Sequence, residues 1–392
     1  MIGSLIRKER IKQDLSLESL SLDICSPSYL SKIESNSVSA HPEINQLLLD
    51  KLKISVIYEV SENKIAEAKK VLEVFFMEDD FSKISQFYLE NKDLKYSVIS
   101  TFYMLIESIY KLGINKLSPQ DTKALINLKP SNSSEQYYQS MVLGLIYLFN
   151  GQPDTAEIFF EKASELNYFG LGDYEKAQCK FSLGSYQTAF YLFNKQYQFE
   201  ISFGNMTFAK RISKEILDTI CIMGEVNCLD DFLLERERLI ENKLSKREKN
   251  YYQLITDFQN NDYKRISEMK ISSLINHPYI YLIYSYSSNK YNKSRDTEKI
   301  LEKYKNWLSS NESPWEYEES LHDFYKENIL QIVQSLTVKN NKLDLDLLKT
   351  AMDTAFSLRL TILAEILKTI LIEELVENRK YKEAYNLINK NR

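Results

Sequence analysis

Glycine and proline together supply only 16 of the chain's 392 residues. That is about 4%, where an average chain carries roughly 12%. So few residues able to turn the backbone sharply leave little room for β-hairpins, glycine-rich phosphate loops or a long disordered tail. The sequence therefore predicts an all-α chain, long enough for two domains or one extended array at a prior of about 150 residues per domain. Hydrophobic residues at 44% and charged residues at 27% suit a protein with a large core.

Chemistry is excluded in the same way. The four cysteines, Cys25, Cys179, Cys221 and Cys228, show no CxxC pair and read as buried, reduced thiols. Three scattered histidines, His41, His277 and His322, form no metal-binding motif. Neither a Ser-His nor a Cys-His arrangement is evident, so no enzyme, metal or cofactor is expected. The longest apolar run, residues 141–149, is too short to span a bilayer, and the N-terminus turns charged by Arg7. A cytoplasmic protein without a membrane partner is the expectation. With 50 Lys+Arg against 55 Asp+Glu, any nucleic-acid binding must come from a local patch.

Residues 1–60 break into short helical segments with polar corners. Ser16 caps one, with Glu18 in its first turn. Ser26 followed by Pro27 is a sharp start signal for another, read as about three turns long. Asn36 suits the left-handed end of that helix, and residues 43–52 resume with Ile44, Leu47 and Leu48 on one face. Residues 61–78 read as a helical connector. Residues 79–392 then run helix after helix with short gaps.

Within that stretch a repeat is visible. Leu143, Gly144, Tyr147, Gly151, Ala156, Phe160 and Ala163 fall at the spacing of a tetratricopeptide repeat. Gly144 and Ala156 would let two helices approach, Tyr147 and Phe160 would fill the gap beyond, and Gly151 would form the turn. Gly184, Ala189 and Phe193 repeat the pattern 33 residues later. Degenerate echoes run through Asn261–Tyr263, Lys290–Tyr291 into the following residues, and Arg379–Ala384, with Tyr381 and Ala384 in the expected places. Stacked pairs of this kind predict a right-handed superhelical array.

The N-terminal segment resembles the helix-turn-helix of the Cro/repressor (XRE) class. Ile6, Arg7 and Arg10, then Leu15-Ser16 and Leu20, then the stretch Ser26–Glu34 carry the resemblance. Leu20, Ile24, Leu30 and Ile33 would supply its apolar side. The resemblance implies a recognition helix in the major groove of double-stranded DNA. Its DNA-binding candidates are Ser16, Ser26, Pro27, Ser28, Tyr29, Ser31, Lys32, Asn36 and Ser39, with Ser28 and Lys32 four apart at base edges. Leu17 stands where many relatives have Gln, and Arg10 and Glu34 match an internal ion pair of related domains. Residues 1–65 hold eight Lys/Arg against nine acidic residues, so two such domains acting together on a two-fold site are expected.

Joined to a tetratricopeptide array, this domain is similar to the peptide-responsive regulators grouped with Rgg, NprR, PlcR, PrgX and Rap. That resemblance implies a homodimer whose repeat domain, residues 79–392, dimerises and binds a short signalling oligopeptide that controls DNA binding. The alternatives are a module that sequesters a partner protein, as Rap-like members do, or a phage- or plasmid-type repressor without a peptide ligand. Asparagines clamp the peptide backbone in the family; Val142 stands at the expected position. Asn205, Asn227 and Asn261 are candidates by residue type alone.

Overall fold

The computed structural model describes residues 2–54, 62–97, 99–130, 132–166, 170–240, 243–270, 277–291, 297–310, 321–337, 343–358 and 360–389. The described residues are helical, with no β-ladder. None of their helices is long and apolar enough to cross a membrane. Two compact units divide the chain, Met1–Lys176 and Ala177–Arg392.

The first unit opens with four short helices, α1 (Ile2–Lys12), α2 (Leu17–Ser21), α3 (Pro27–Glu34) and α4 (Pro42–Lys51). They close on a small core of Ile6, Leu20, Leu30, Ile33, Ala40, Leu48, Leu49 and Leu52. Ile24 lies only at its margin. α3 has eight residues, just over two turns rather than three. On α4 the sequence reading placed Leu47 inward, but it is 50% exposed. Starting at Pro42, the helix buries Leu48, Leu49 and Leu52 instead, which turns Leu47 to solvent.

The junction expected at residues 60–61 lies outside the described residues. Beyond it come α5 (Glu62–Glu78), α6 (Phe81–Glu90), α7 (Ser100–Gly113), α8 (Pro119–Ile126), α9 (Ser133–Phe149) and α10 (Pro153–Glu165). α5 buries Ala68, Leu72, Val74, Phe75 and Phe76 on these neighbours. α8 starts at a reciprocal capping box between Ser118 and Asp121. In the α9–α10 hairpin a Cβ at Gly144 would stand 2.5 Å from the Phe160 ring. Phe160 therefore packs directly over Gly144, not beyond it, and Tyr147 stacks on Phe159 at 5.3 Å between centroids.

α11 (Leu171–Ser182) carries the boundary between the units. The second unit continues with α12 (Tyr186–Phe203), α13 (Met206–Met223), α14 (Val226–Leu239), α15 (Lys246–Gln259), α16 (Tyr263–Glu268), α17 (Pro278–Lys290) and α18 (Thr297–Ser310). It ends with α19 (Leu330–Thr337), α20 (Leu345–Ser357), α21 (Thr361–Glu377) and α22 (Tyr381–Asn389).

One backbone device recurs in both units. Gly151, Gly184, Gly224, Asn261 and Arg379 all take left-handed φ between +58° and +74°. The next residue's N–H returns to a carbonyl five positions back: Gln152 to Tyr147, Ser185 to Lys180, Glu225 to Ile220, Asp262 to Asp257 and Lys380 to Leu375, at 2.8–3.3 Å. This is the Schellman helix stop. Five positions beyond each left-handed residue sits Ala156, Ala189, Leu229, Ile266 or Ala384, all buried. Two of the three degenerate echoes in the sequence thus share the geometry of the clear repeats. The third, past Tyr291, runs through residues 292–296, outside the described residues. The Gly224 turn carried too little side-chain similarity to be read from sequence.

α21 binds across the second unit. Glu365, Thr369, Glu373 and Glu377 recur every four residues and so share one face. Tyr186 donates to Glu365 at 2.8 Å, Thr369 donates to Gln259 at 3.2 Å, Tyr286 donates to Glu373 at 2.9 Å, and Lys290 pairs with Glu377.

Candidate nucleic-acid interface

α1 and α3 approach so closely that a Cβ on Gly3 would stand 1.8 Å from the Ile33 carbonyl oxygen. Only glycine allows that crossing. Arg10 locks it from the other end. Its Nε and Nη2 donate to the Glu34 carboxylate at 2.6 and 2.8 Å, and its Nη1 donates to the Leu15 carbonyl at 2.9 Å. Glu34 is almost fully buried, so the pair is the internal one anticipated from sequence. The bond to Glu34 raises the guanidinium pKa further above its ordinary value.

The polar candidates divide by what the fold already asks of them. The Ser16 hydroxyl caps α2 by accepting from the Ser19 N–H at 3.0 Å, and the Ser26 hydroxyl caps α3 by accepting from the Tyr29 N–H at 3.2 Å. Asn36 takes φ +52° and donates to the Ser4 hydroxyl at 2.7 Å, tying the end of α3 to α1. Tyr29 packs at the margin of the core. Pro27, Ser28, Ser31 and Lys32 are exposed along α3, with Ser39 exposed in the loop that follows. Ser28 and Lys32 stand four residues apart and share one turn-to-turn row. Lys32 is the one basic residue of α3.

Beside this face, at the start of α2, lies exposed Glu18. Its own backbone N–H and the Ser16 hydroxyl hold its carboxyl below the usual range, so a fixed negative charge flanks the surface. The turn between α2 and α3 is made by Asp23 at φ +64°. The Lys51 ammonium caps α2 by donating to the Leu22 carbonyl at 2.8 Å.

Sequence reasoning missed the other side of α1. The Ser4 hydroxyl donates to the Lys129 carbonyl at 2.9 Å, and the Lys8 ammonium faces Glu107 of α7 at 3.9 Å. Burial pushes the Lys8 pKa down against the raising effect of Glu107. Of the basic residues near the N-terminus, Lys8 is thus turned into the protein and Lys12 pairs with Glu9 at 3.6 Å. The polar side of α1 resembled a solvated face, and no local spacing marks a lysine for burial.

The peptide-clamp candidates are distributed differently. Asn205 caps α13, accepting from the Phe208 N–H and donating to Glu200 at 2.7 Å. Asn261 makes the α15–α16 turn and accepts from the Tyr263 hydroxyl at 2.8 Å. Asn227 is exposed on α14, and Val142 is fully buried in α9. The cysteines are unpaired, but only Cys179 and Cys221 are buried; Cys25 is half-buried and Cys228 exposed, because they fall on outward positions of their elements.

Residues 6–58 match the helix-turn-helix family model. The N-terminal part of the chain is thus a helix-turn-helix domain of the XRE type. No curated protein sequence matches the chain. Among solved structures, it is similar to Bacillus thuringiensis PlcR in complex with the peptide PapR7 and DNA. The identity is 18% and the TM-score 0.40, over 65% of this chain and 98% of that one. It is also similar to the Streptococcus dysgalactiae SHP pheromone receptor Rgg2, at 14% identity and a TM-score of 0.18, over 84% of this chain and 99% of that one.

Proposed function

We propose that the chain is a transcriptional regulator that binds operator DNA as a homodimer, its DNA binding controlled by a short signalling peptide held by the repeat domain. The observation that carries the DNA-binding part is the α3 face. Every large apolar residue of α3 packs inward, whereas Ser28, Ser31 and Lys32 point outward with no side-chain hydrogen bond or ion pair among the described residues. A helix of this length, started by a Ser-Pro cap, fits the major groove with its first residues at base edges. Lys32 can donate to guanine N7 and O6, and Ser28 can donate or accept.

The near-neutral charge of the domain supports the dimer. Few phosphates can be neutralised by one copy, and joining two raises the effective concentration of the second. Peptide control is a population shift, and its size equals the difference in peptide affinity between the two arrangements. The pairing of this domain with helical hairpins of the tetratricopeptide type supports it. No catalytic step is assigned to the chain.

The test is a gel shift on the DNA upstream of the chain's own reading frame. Ser28→Ala with Lys32→Ala is expected to abolish specific binding and leave the helical content and assembly state intact. An unchanged footprint would overturn the assignment of α3. Light scattering that shows a monomer at binding concentrations would overturn the dimer.

A further inference from the structure

Within the first unit, one side of α1 is spent on the helices beyond the small domain. Ser4, Leu5 and Lys8 fall on that side, adjacent or one turn apart, and Leu5 is buried without belonging to the helix-turn-helix core. Ser4 uses its hydroxyl twice. It donates to the Lys129 carbonyl, between α8 and α9, at 2.9 Å and accepts from the Asn36 side chain, at the end of α3, at 2.7 Å. A single oxygen thus joins α3 to a loop that lies 125 residues beyond Ser4 in the chain.

The second tie is ionic. The nearly buried Lys8 ammonium has no hydrogen-bond partner among the described residues and stands 3.9 Å from the Glu107 carboxylate of α7. Glu107 also pairs with Lys111 at 3.2 Å, and Lys111 reaches Asp121 at 2.9 Å. Asp121 in turn closes the capping box of α8 with Ser118. A row of alternating charge therefore runs from α1 through α7 to α8. For a covered ammonium this far from its partner, desolvation offsets most of the Coulomb gain, and an apolar residue would hold the two surfaces together as well. What the hydroxyl and the charge add is register. An apolar contact tolerates sliding and rotation, whereas Ser4 and Lys8 meet their partners in one placement of α1 only.

We propose that Ser4 and Lys8 are positioning residues: they fix the orientation of α3 on the first unit, and through it the separation of the two DNA half-sites that the dimer accepts. The assignment rests on the DNA-binding dimer proposed above. Neither residue belongs to the outward face of α3; each acts through the placement of α1.

A half-site is selected from random duplexes with the full chain, then set in inverted pairs whose spacing is varied one base pair at a time. The wild type is expected to prefer one spacing and to lose about tenfold in affinity when about two base pairs are added. That addition shifts one half-site by roughly 7 Å and swings it by about a fifth of a turn. Lys8→Glu sets a carboxylate against Glu107. It is expected to bring neighbouring spacings to within about twofold of one another, with the affinity for a single half-site unchanged. Adding Glu107→Lys to Lys8→Glu restores opposite charges and is expected to restore the preference, a rescue that a merely damaged α1 would not show. Ser4→Ala removes one oxygen and is expected to broaden the spacing profile in the same way; it decides the matter where Lys8→Glu costs half-site binding itself. A preference that stays sharp in Lys8→Glu and Ser4→Ala, or that the double variant fails to recover, overturns the positioning role. A wild-type dimer that binds single half-sites yet accepts every spacing equally overturns it alone. A chain that selects no half-site, or stays monomeric on paired sites, overturns it together with the reading it rests on.

Discussion

The helix-turn-helix and the helical hairpins solve the same problem, holding short helices at fixed angles, with different shares of backbone and side chain. In the first, left-handed stops at Asp14, Asn36 and Lys53 return the next N–H five positions as in the hairpins, and side chains add the rest of the holding. Arg10 and Glu34 clamp α1 to α3, Ser16 and Ser26 cap, and Asn36 ties back to Ser4. In the hairpins the backbone does most of it, through a left-handed residue, a returning N–H and a small or aliphatic residue five positions on. A domain that spends its polar side chains internally leaves few outward, and those few become conspicuous. The hairpins spend some polar side chains on their turns, Asp262 capping α16 and Asn260 donating to the Gly224 carbonyl, while Tyr186 and Tyr286 reach α21.

The sharpest way to break this contrast is at the glycines. Gly3→Ala sets a Cβ 1.8 Å from a backbone carbonyl that cannot swing away, so α1 and α3 must separate. A loss of about 3 kcal/mol is expected. Gly144→Ala meets the edge of the Phe160 ring at 2.5 Å, and a side chain can yield, so about 1–2 kcal/mol is expected there. Hydrogen exchange of the full chain reads both regions at once. Loss of α1 and α3 protection without loss in α9 and α10 is expected for the first variant. Equal effects of the two substitutions would erase the distinction.

Glu34→Gln tests whether side chains hold the first region. It removes the carboxylate charge from beside the half-buried Arg10 guanidinium, which keeps the Leu15 carbonyl and a single amide oxygen as acceptors. Removing one partner of a buried pair costs about 3 kcal/mol, most of it from the stranded charge. Arg10→Leu together with Glu34→Leu is expected to cost less than Glu34→Gln alone, since no charge is then left behind. Urea unfolding monitored at α1 amides checks the order, and a double variant less stable than the single one would contradict it.

Legibility in the sequence followed the same division. The Ser-Pro cap and the Gly144–Ala156 hairpin are readable because each is written in residue types at a fixed spacing, whereas the Arg10–Glu34 pair is legible only through the resemblance to related helix-turn-helix domains. The Gly3 crossing was not, since one glycine near a terminus carries no period. Lys8 was unreadable for another reason: its partner, Glu107, is distant in sequence, and burial of a lysine contradicts every local rule. The repeat turns were legible where the left-handed residue is glycine followed by alanine. They faded where Asn261 or Arg379 takes the same φ, because the backbone hydrogen bond that defines the turn needs no particular side chain. Leu47 was misplaced because an apolar run of three leucines fits two helix faces, and only the Pro42 start chooses between them.

If the backbone alone sets the hairpin turn, its least suitable residue can be improved without loss. Arg379 holds φ +58°, is exposed, and makes no ion pair among the described residues. An ordinary side chain in the left-handed region pays a strain of roughly 1 kcal/mol that glycine does not. Glycine gives part of that back through a more flexible unfolded chain, so Arg379→Gly is expected to stabilise by about 0.5 kcal/mol. The reverse change, Gly184→Arg, is expected to destabilise by a similar amount. Hydrogen exchange at the start of α22 checks the first, since the Lys380 N–H bonded to Leu375 would be protected longer. A loss of protection in Arg379→Gly would mean that the arginine side chain itself holds the turn, and the hairpins would then resemble the helix-turn-helix more than they differ from it.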